Sequence, residues 1–429
     1  MAVTVLSSPA AYTPAYNPQW FVASSTQTAQ PNFRFRLVIT DLISSASVTK
    51  DVDMDTASQL VYDNGSFAEQ YIAEIDPSNT YGWQLKVGAV RKIRVNIGEV
   101  YGSTPTYYAG ANTDYIVWNA SLDLMEMQNY NYLNYLYSQA NNIQLITNNH
   151  NADYTWNPSA SPEFYSNPET VIEDRSSYLT FLTSAAGDVE SITVVGFASD
   201  GTQLGSTVIG NTSYSGSTTY TDKYFYIDVG YKGLENMPAG IVMSGTYPIP
   251  VSTYDYWIVY DSSSWMPQPG GGAQPYVYPL KRYNAVCETR YEFVELHYLT
   301  PEGNFESQTF NKMNLRTTDA VKTTYSKLPY YKESNAIVYD YGAQIENTLS
   351  STSKDKITVN TGWIEEYEVT QLKDVISSPI VYADFGDARG ALSVRVVNNS
   401  YQEKRKYNDK LLTVSFDLEY THINVRQRG

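Results

Sequence analysis

Residues Tyr283–Lys327 read YNAVCETRYEFVELHYLTPEGNFESQTFNKMNLRTTDAVKTTYSK, and this stretch decides the fold class. Apolar and aromatic side chains recur at nearly every second position before Thr300, and the alternation resumes from Phe305 to Phe310. Between the two runs lies TPEGN at 300–304, which contains the proline and glycine that are typical of a turn. Two alternating runs joined by a short turn predict a β-hairpin. Nothing in the stretch points to catalysis, so we interpret it as an architectural element.

Similar strand patterns occur along the rest of the chain and predict a mainly β fold. Residues 33–39 and 90–101 alternate in polarity, and Asp200-Gly201 has the composition of a hairpin turn between two strands. Only Leu122–Gln139 and Trp363–Ile376 have helical spacing, and the first part of the second segment fits a strand equally well. We therefore predict two antiparallel β-sandwich or barrel-like domains with one or two short helices.

Composition shifts divide the chain into four predicted segments. Residues 1–30 combine prolines with aromatic residues, which indicates an extended arm that docks on another surface; a disordered tail is the alternative. Residues 31–266 form the first β-rich domain. The sequence PQPGGGAQP at 267–275 predicts a Pro/Gly linker over 267–280. Residues 281–429 form the second β-rich domain.

The composition of the chain favours a protein that contacts other proteins over one that binds a ligand. Only 17% of its 429 residues are charged, whereas 40 are tyrosine, a residue that suits interfaces and half-buried strands alike. A Tyr-rich surface that contacts other proteins and a Tyr-rich core therefore both remain open. The net charge of −16 argues against a protein that wraps nucleic acid, because binding phosphates requires a cationic face.

Segments for export or membrane insertion are not predicted. The first residues lack the charged and apolar regions of a signal peptide, and no apolar run is long enough to span a membrane. The single cysteine, Cys287, excludes an intramolecular disulfide. We expect a soluble protein that is synthesised in a reducing cytoplasm and makes no membrane contact.

Candidate chemical groups do not form a recognisable site in the sequence. The three histidines, His150, His297 and His422, lack metal-site spacing and are interpreted as structural, and Cys287 as a buried, inert thiol. The acidic run 51–55 resembles the start of a calcium loop, but Thr56 and Tyr62 stand where that loop needs glycine and glutamate.

Adjacent Glu365 and Glu366 point in different directions, so they cannot act together as glycosidase carboxylates. We therefore predict no catalytic, cofactor-binding or metal-binding residues, no cofactor, and no enzymatic activity.

Several scattered segments resemble virion structural proteins of tailed phages that infect Bacteroidetes, the crAss-like phages among them. They are the early segments 16–18 and 29–35, residues 178–182, the hairpin 294–310, residues 363–382 and the last strand 411–422. The resemblance implies a component of the tail or neck that self-assembles into a homo-oligomeric ring around the DNA channel. It also implies a virion location, contacts with other tail, neck or portal proteins, and passage of genomic DNA without specific binding.

Two functional hypotheses follow from these observations. The first is a non-enzymatic ring protein, for which six- or twelve-fold symmetry is expected. Its predicted interface residues are Tyr12, Tyr16, Trp20, Phe21, Tyr298 and Phe305. The second is a receptor- or carbohydrate-binding protein of a phage tail, in which Trp156, Trp257 and Trp265 stack on sugar rings. A glycan-degrading tail enzyme is a third, weaker alternative.

Overall fold

The computed structural model is mainly β, as predicted, with four short helices and several multi-stranded antiparallel sheets. The structure describes residues 3–72, 81–86, 88–128, 130–132, 136–138, 143–146, 169–172, 176–184, 191–210, 222–245, 247–261, 279–286, 291, 293–339, 342, 345–361, 366–386, 390–397, 413–421 and 424–425. The chain divides into two compact units. The first comprises Met1–Glu288 and Leu299–Ser307, and the second comprises Thr289–Tyr298 and Gln308–Gly429.

The strands and helices are numbered here in chain order. Up to residue 128 they are β1 (Val3–Ser7), β2 (Tyr12–Pro14), β3 (Trp20–Ser25), β4 (Arg34–Asp41), β5 (Ser47–Val52), β6 (Gln59–Asp63), α1 (Gly65–Glu69), β7 (Trp83–Leu85), β8 (Val90–Tyr101), β9 (Thr106–Tyr108), β10 (Asn112–Trp118) and α2 (Leu124–Gln128). From 136 to 286 they are β11 (Leu136–Ser138), β12 (Ile143–Ile146), β13 (Glu169–Ile172), β14 (Tyr178–Ser184), β15 (Ser191–Phe197), β16 (Gln203–Gly210), β17 (Asp222–Asp228), α3 (Tyr231–Glu235), β18 (Val242–Gly245), β19 (Tyr256–Asp261) and β20 (Pro279–Val286), with short 3₁₀ turns at Ala239–Ile241 and Val251–Thr253. The remainder are β21 (Val294–Leu299), β22 (Phe305–Phe310), β23 (Leu315–Ser326), β24 (Tyr330–Glu333), β25 (Ala336–Tyr339), β26 (Glu346–Asn360), α4 (Glu366–Ser377), β27 (Val381–Asp384), β28 (Leu392–Val396), β29 (Ser415–Tyr420) and β30 (Asn424–Val425).

The first unit contains two pairs of sheets, each pair with its own core. The sheet β1-β3-β6 shares one core with the sheet β2-β10-β8-β4-β5, to which β9 adds through β8. The sheets β11-β12-β14-β17-β7 and β13-β20-β19-β15-β16-β18 share the other. Alternation explains the local structure: Phe35, Leu37 and Ile39 of β4 are buried, while the residues between them are partly exposed. Each pair is therefore a β-sandwich.

The second unit is built on one large sheet in the order β22-β21-β27-β28-β29-β26-β23, with β30 paired to β26. One face of this sheet and helix α4 enclose a core to which the helix contributes Leu372 and Val375. The helix ends at Ser377, where Pro379 follows two residues later and cannot continue the helical hydrogen bonds. The helical interpretation of this segment is thus confirmed for 366–376, while 363–365 lie outside the described residues.

The predicted hairpin of the opening stretch is confirmed, with strands β21 and β22 joined by residues 300–304. The amide of Thr300 donates to the carbonyl oxygen of Asn304 at 2.9 Å, and that of Gly303 donates to Thr300 at 3.0 Å. Gly303 has a φ of +88°, a conformation that side chains disfavour and glycine adopts freely. The Asp200-Gly201 turn between β15 and β16 is confirmed as well.

The predicted helix over Leu122–Gln139 is wrong for the residues that the structure describes after Gln128. Helix α2 covers only Leu124–Gln128, and Leu136–Ser138 form strand β11. Leu136 is buried and pairs with Ile146 of β12, so cross-strand packing outweighs a spacing that fits a helix.

The segment predicted as an arm contains strands β1, β2 and β3, and Phe21 and Ala23 of β3 belong to the core of the first unit. Most of the predicted linker, 262–278, lies outside the described residues, and Pro279 begins β20.

Candidate interaction site

The most exposed structural element of the second unit is a long antiparallel ribbon. Strand β23 lies at the edge of the large sheet and pairs with β26 from Leu315 opposite Thr358 to Ser326 opposite Glu346. In the part of the chain that the structure describes, β29 and β30 pair with β26 only from Thr352 onward. The described residues among 322–351 therefore extend beyond the sheet, and we call the segment 322–351 the free ribbon.

The tip of the free ribbon is a second hairpin made by β24 and β25. Lys327 donates its amide to the carbonyl oxygen of Ile345 at 2.7 Å, which continues the ladder from the β23–β26 pair toward the tip. Tyr330 lies opposite Tyr339 and Glu333 opposite Ala336, so the turn consists of two residues. The first of them, Ser334, has a φ of +55°, as the twist of a two-residue hairpin requires.

Apolar side chains cover the free ribbon without a core beneath them. Every residue of β23 and β24 is exposed, and so are three of the four residues of β25. The exposed large apolar or aromatic residues of the free ribbon are Tyr325, Leu328, Tyr330, Tyr331, Ile337, Tyr339, Ile345 and Leu349. So many exposed large apolar side chains on one element indicate a site of interaction.

The two faces of the tip differ in composition because side chains alternate along a strand. Tyr330, Ile337 and Tyr339 share one face, on which the rings of Tyr330 and Tyr339 lie 6.0 Å apart at 61°. The side chains of Ile337 and Tyr339 are each 61% exposed. This face offers two rings, a branched aliphatic group and the side chain of Lys332, which lies opposite Ile337, to a partner.

The free ribbon also differs from the rest of the chain in charge. It contains three lysines (322, 327 and 332) and three acidic residues (333, 340 and 346), so its formal charge is zero, whereas the whole chain carries −16. The net negative charge of the chain is therefore carried by the residues outside the free ribbon. A neutral ribbon can approach an acidic surface without electrostatic repulsion.

The six residues predicted as an interface occupy different environments. Tyr16 and Trp20 are 42% and 51% exposed and so offer surface to a partner. The other four, Tyr12, Phe21, Tyr298 and Phe305, are buried within the chain. Phe21, for example, packs edge-on against Tyr115 with 5.9 Å between ring centroids. The interface prediction itself stays a prediction, and it omitted the free ribbon.

A sequence signal for the free ribbon exists, although it is indirect. Residues 315–326 are rich in threonine and have strand propensity, yet neither alternating set of side chains is apolar throughout. A strand without a buried face reads as exposed on both sides. The tyrosine pair Tyr330-Tyr331 and the run from Ile337 to Tyr339 then place apolar groups on that exposed strand pair.

The tryptophans proposed to stack on sugars provide little support for that role. Trp257 is fully buried, and its indole nitrogen donates to the carbonyl oxygen of Val229 at 3.1 Å, so it is unavailable to a ligand. Trp156 and Trp265 lie outside the described residues, as do His150, His422, Cys287 and Glu365.

The acidic run at 51–55 is occupied by contacts within the protein. Arg36 binds both carboxylate oxygens of Asp51 at 2.6 and 2.7 Å, and this hydrogen bonding lowers the pKa of Asp51. Asp53 contacts Arg34 at 3.0 Å, and Asp55 accepts the amides of two residues in the following turn. These contacts account for the acidic run without a calcium ion.

His297, interpreted from the sequence as structural, is buried on β21 beside Glu295 of the same strand. Its Nε2 atom lies 3.7 Å from Oε2 of Glu295. Of the side chains that the structure describes, Glu295, His297 and Asp384 are the group that could hold a metal ion, with one ligand atom from each all within 4.8 Å of one another.

No helix among the described residues is long and apolar enough to cross a membrane. The chain matches no protein-family profile, and no curated protein is similar to it.

Proposed function

We propose that this chain is a non-enzymatic structural protein that assembles with copies of itself into a ring, as a component of the tail or neck of a tailed-phage virion. The observation that carries the proposal is the free ribbon, a strand pair without net charge that exposes large apolar and aromatic side chains and projects from an acidic protein. The virion setting rests on the resemblance of the scattered segments 16–18, 29–35, 178–182, 294–310, 363–382 and 411–422.

The free ribbon gains stability from a partner. A two-stranded ribbon alone is at best marginally stable in water, because it buries too little apolar surface to offset the entropy of ordering it. At about 3.3 Å per residue, the thirteen positions from Lys322 to Ser334 reach up to roughly 40 Å from the sheet. A partner that covers one face of the ribbon supplies the missing burial.

A second copy of the chain is the partner that we propose. The free ribbon carries no net charge and the remaining residues carry −16, so the ribbon can approach another copy without net repulsion and its three lysines can pair with carboxylates there. A ribbon that docks on a different surface of its neighbour makes a head-to-tail contact, and such contacts generate closed rings when the rotation closes. The same acidic balance suits a channel through which DNA slides without binding.

The experiment is imaging and mass measurement of the purified full chain. We expect ring-shaped particles by electron microscopy and a mass that is a fixed multiple of the protomer by mass photometry. The double variant Ile337→Asp, Tyr339→Asp removes apolar groups from one face of the tip. Burying such a side chain contributes about 1.5–3 kcal/mol, so association should weaken by a factor of at least about 100.

Met125→Asp is the matched control, because Met125 is an apolar residue that is 82% exposed on α2, outside the free ribbon. It should leave assembly unchanged. A wild-type chain that stays monomeric at high concentration would refute the ring. A double variant that assembles like the control would show that the free ribbon does not contribute to assembly.

A receptor- or carbohydrate-binding role in a phage tail is the alternative function. Exposed tyrosines at the ribbon tip, Tyr330, Tyr331 and Tyr339, offer ring faces on which sugars stack. If the chain has this role, the double variant should not bind a glycan array, because it lacks Tyr339. Strong glycan binding by a monomeric wild-type chain would favour this alternative over the ring.

A further inference from the structure

Three ionisable side chains meet on two neighbouring strands of the second unit. Val294, Leu296 and Tyr298 of β21 enter the core, so Glu295 and His297 share the opposite face of that strand. On β27, Asp384 lies directly opposite Glu295 in the antiparallel register. The register therefore brings residues from two distant parts of the chain to one place.

All three side chains are buried, which makes their charges costly. Glu295 and His297 are 1% and 2% exposed and Asp384 is 4% exposed. Two carboxylates this close repel one another, and removing each from water costs several kcal/mol unless an opposite charge compensates it. A divalent cation bound by all three side chains would supply two positive charges at this place.

The donor set favours zinc over magnesium and calcium. A nitrogen ligand with carboxylate oxygens suits zinc, whereas magnesium and calcium prefer oxygen ligands alone. Two ligands at about 2.1 Å from a tetrahedral zinc lie about 3.4 Å apart. The 3.7 Å between Nε2 of His297 and Oε2 of Glu295 is close to that separation, and the ligand atoms of all three residues lie within 4.8 Å of one another.

The third ligand is held in place by its own loop. The amide of Gly386 donates to Oδ1 of Asp384 at 2.7 Å. Hydrogen bonds of this kind orient carboxylate ligands and are a regular feature around protein-bound metals.

We propose that Glu295, His297 and Asp384 bind one zinc ion per chain, with water in the fourth position, and that the ion fastens β21 to β27. Zinc at this site would join two strands that are far apart in sequence. It is independent of the free ribbon and of ring assembly.

The test is zinc binding by the full chain. The protein is treated with EDTA, the EDTA is removed, and zinc sulfate is titrated into the protein. The bound zinc is measured by inductively coupled plasma mass spectrometry. We expect one equivalent per chain and a rise in the unfolding temperature, because a ligand that binds only the folded state stabilises it. Titration with cobalt(II) should give the intense visible absorption of a tetrahedral site.

Two conservative variants and one control make the result specific. His297→Gln and Asp384→Asn should each lose stoichiometric zinc and the cobalt spectrum, while Glu333→Gln, which removes an exposed carboxylate of the same unit, should retain both. The cobalt spectrum of the wild-type chain decides the question even where a variant fails to fold. Substoichiometric zinc on the wild-type chain, an octahedral cobalt spectrum, or zinc retained by both variants would overturn the proposal.

Discussion

Replacing Gly303 with alanine should destabilise the first unit, although the change adds only one carbon atom to the hairpin loop at 300–304. Residues 299–307 belong to that unit, and the loop is enclosed by it. A Cβ atom on Gly303 would lie 2.0 Å from the carbonyl oxygen of Asn119 and 3.1 Å from Cδ1 of Trp118. Backbone atoms cannot move away from such a contact, whereas the end of a flexible side chain can.

The expected cost follows from three contributions. A side chain at a φ of +88° costs about 1–2 kcal/mol. Overpacking against the backbone adds about 1–3 kcal/mol. Alanine offsets about 0.4–1 kcal/mol of this by restricting the unfolded chain. The net loss is therefore about 1–5 kcal/mol.

Displacement of the loop also threatens two buried hydrogen bonds. The indole nitrogen of Trp118 donates to the carbonyl oxygen of Glu302 at 2.7 Å, and the hydroxyl of Tyr224 donates to that of Gly303 at 2.8 Å. Each contributes about 1 kcal/mol when it is intact. Their loss would place the measured cost at the upper end of the range.

Urea unfolding and differential scanning calorimetry provide the measurement. Gly240→Ala is the matched control, because a Cβ atom there would meet nothing within 4 Å. We expect Gly303→Ala to unfold at clearly lower urea concentration and temperature than the wild type, and the control to unfold close to it. If the two variants unfold alike, the loop is not enclosed as described and the calculation fails.

Two further substitutions test buried polar groups of the first unit. Burial raises the pKa of Asp228 to about 6, so the folded state binds a proton that the unfolded state releases near pH 4, and the stability linked to this group falls as pH rises from about 4 to 6. The asparagine of Asp228→Asn cannot titrate. The free energy of unfolding of the variant, relative to that of the wild type, should therefore rise by up to about 3 kcal/mol from pH 4 to 6. A difference that is constant from pH 4 to 7 would contradict this pKa. Tyr115→Phe removes a hydroxyl that donates to Oε1 of Gln19 at 2.6 Å and accepts from Nδ2 of Asn64 at 2.7 Å, and should cost about 1–3 kcal/mol in urea unfolding. The exposed Tyr331→Phe should cost close to nothing, and equal effects of the two would refute the role of the buried hydroxyl.

The parts of the fold that sequence could predict are those encoded within a few residues. The hairpin of β21 and β22 was predictable because its alternation and its Pro/Gly turn lie side by side in the chain. The stop of α4 was predictable for the same reason, since Pro379 acts on its immediate neighbours. Strand β11 was not, because its conformation depends on pairing with β12.

The candidate sites depend on separations that no local pattern encodes. Asp384 lies 87 positions after His297 in the numbering, and only the register of β21 against β27 brings them together. The hydrogen bond between Trp118 and Glu302 joins residues 184 positions apart. Composition predicted a surface that contacts neighbours, but exposure of the free ribbon is a property of the sheet edge from which it extends.

The lysines of the free ribbon bear on which partner can bind it. Exposed strands pair with other chains indiscriminately unless charged residues prevent it, and lysine is the residue that most often does so. Lys322, Lys327 and Lys332 recur every five residues along one strand of the ribbon, so an uncharged sheet edge would have to desolvate them without compensation. A surface with carboxylates opposite these positions avoids that cost and still covers the apolar face. The rest of this chain carries the whole of the net negative charge and so has carboxylates to offer, which is consistent with the proposal that the partner is a second copy.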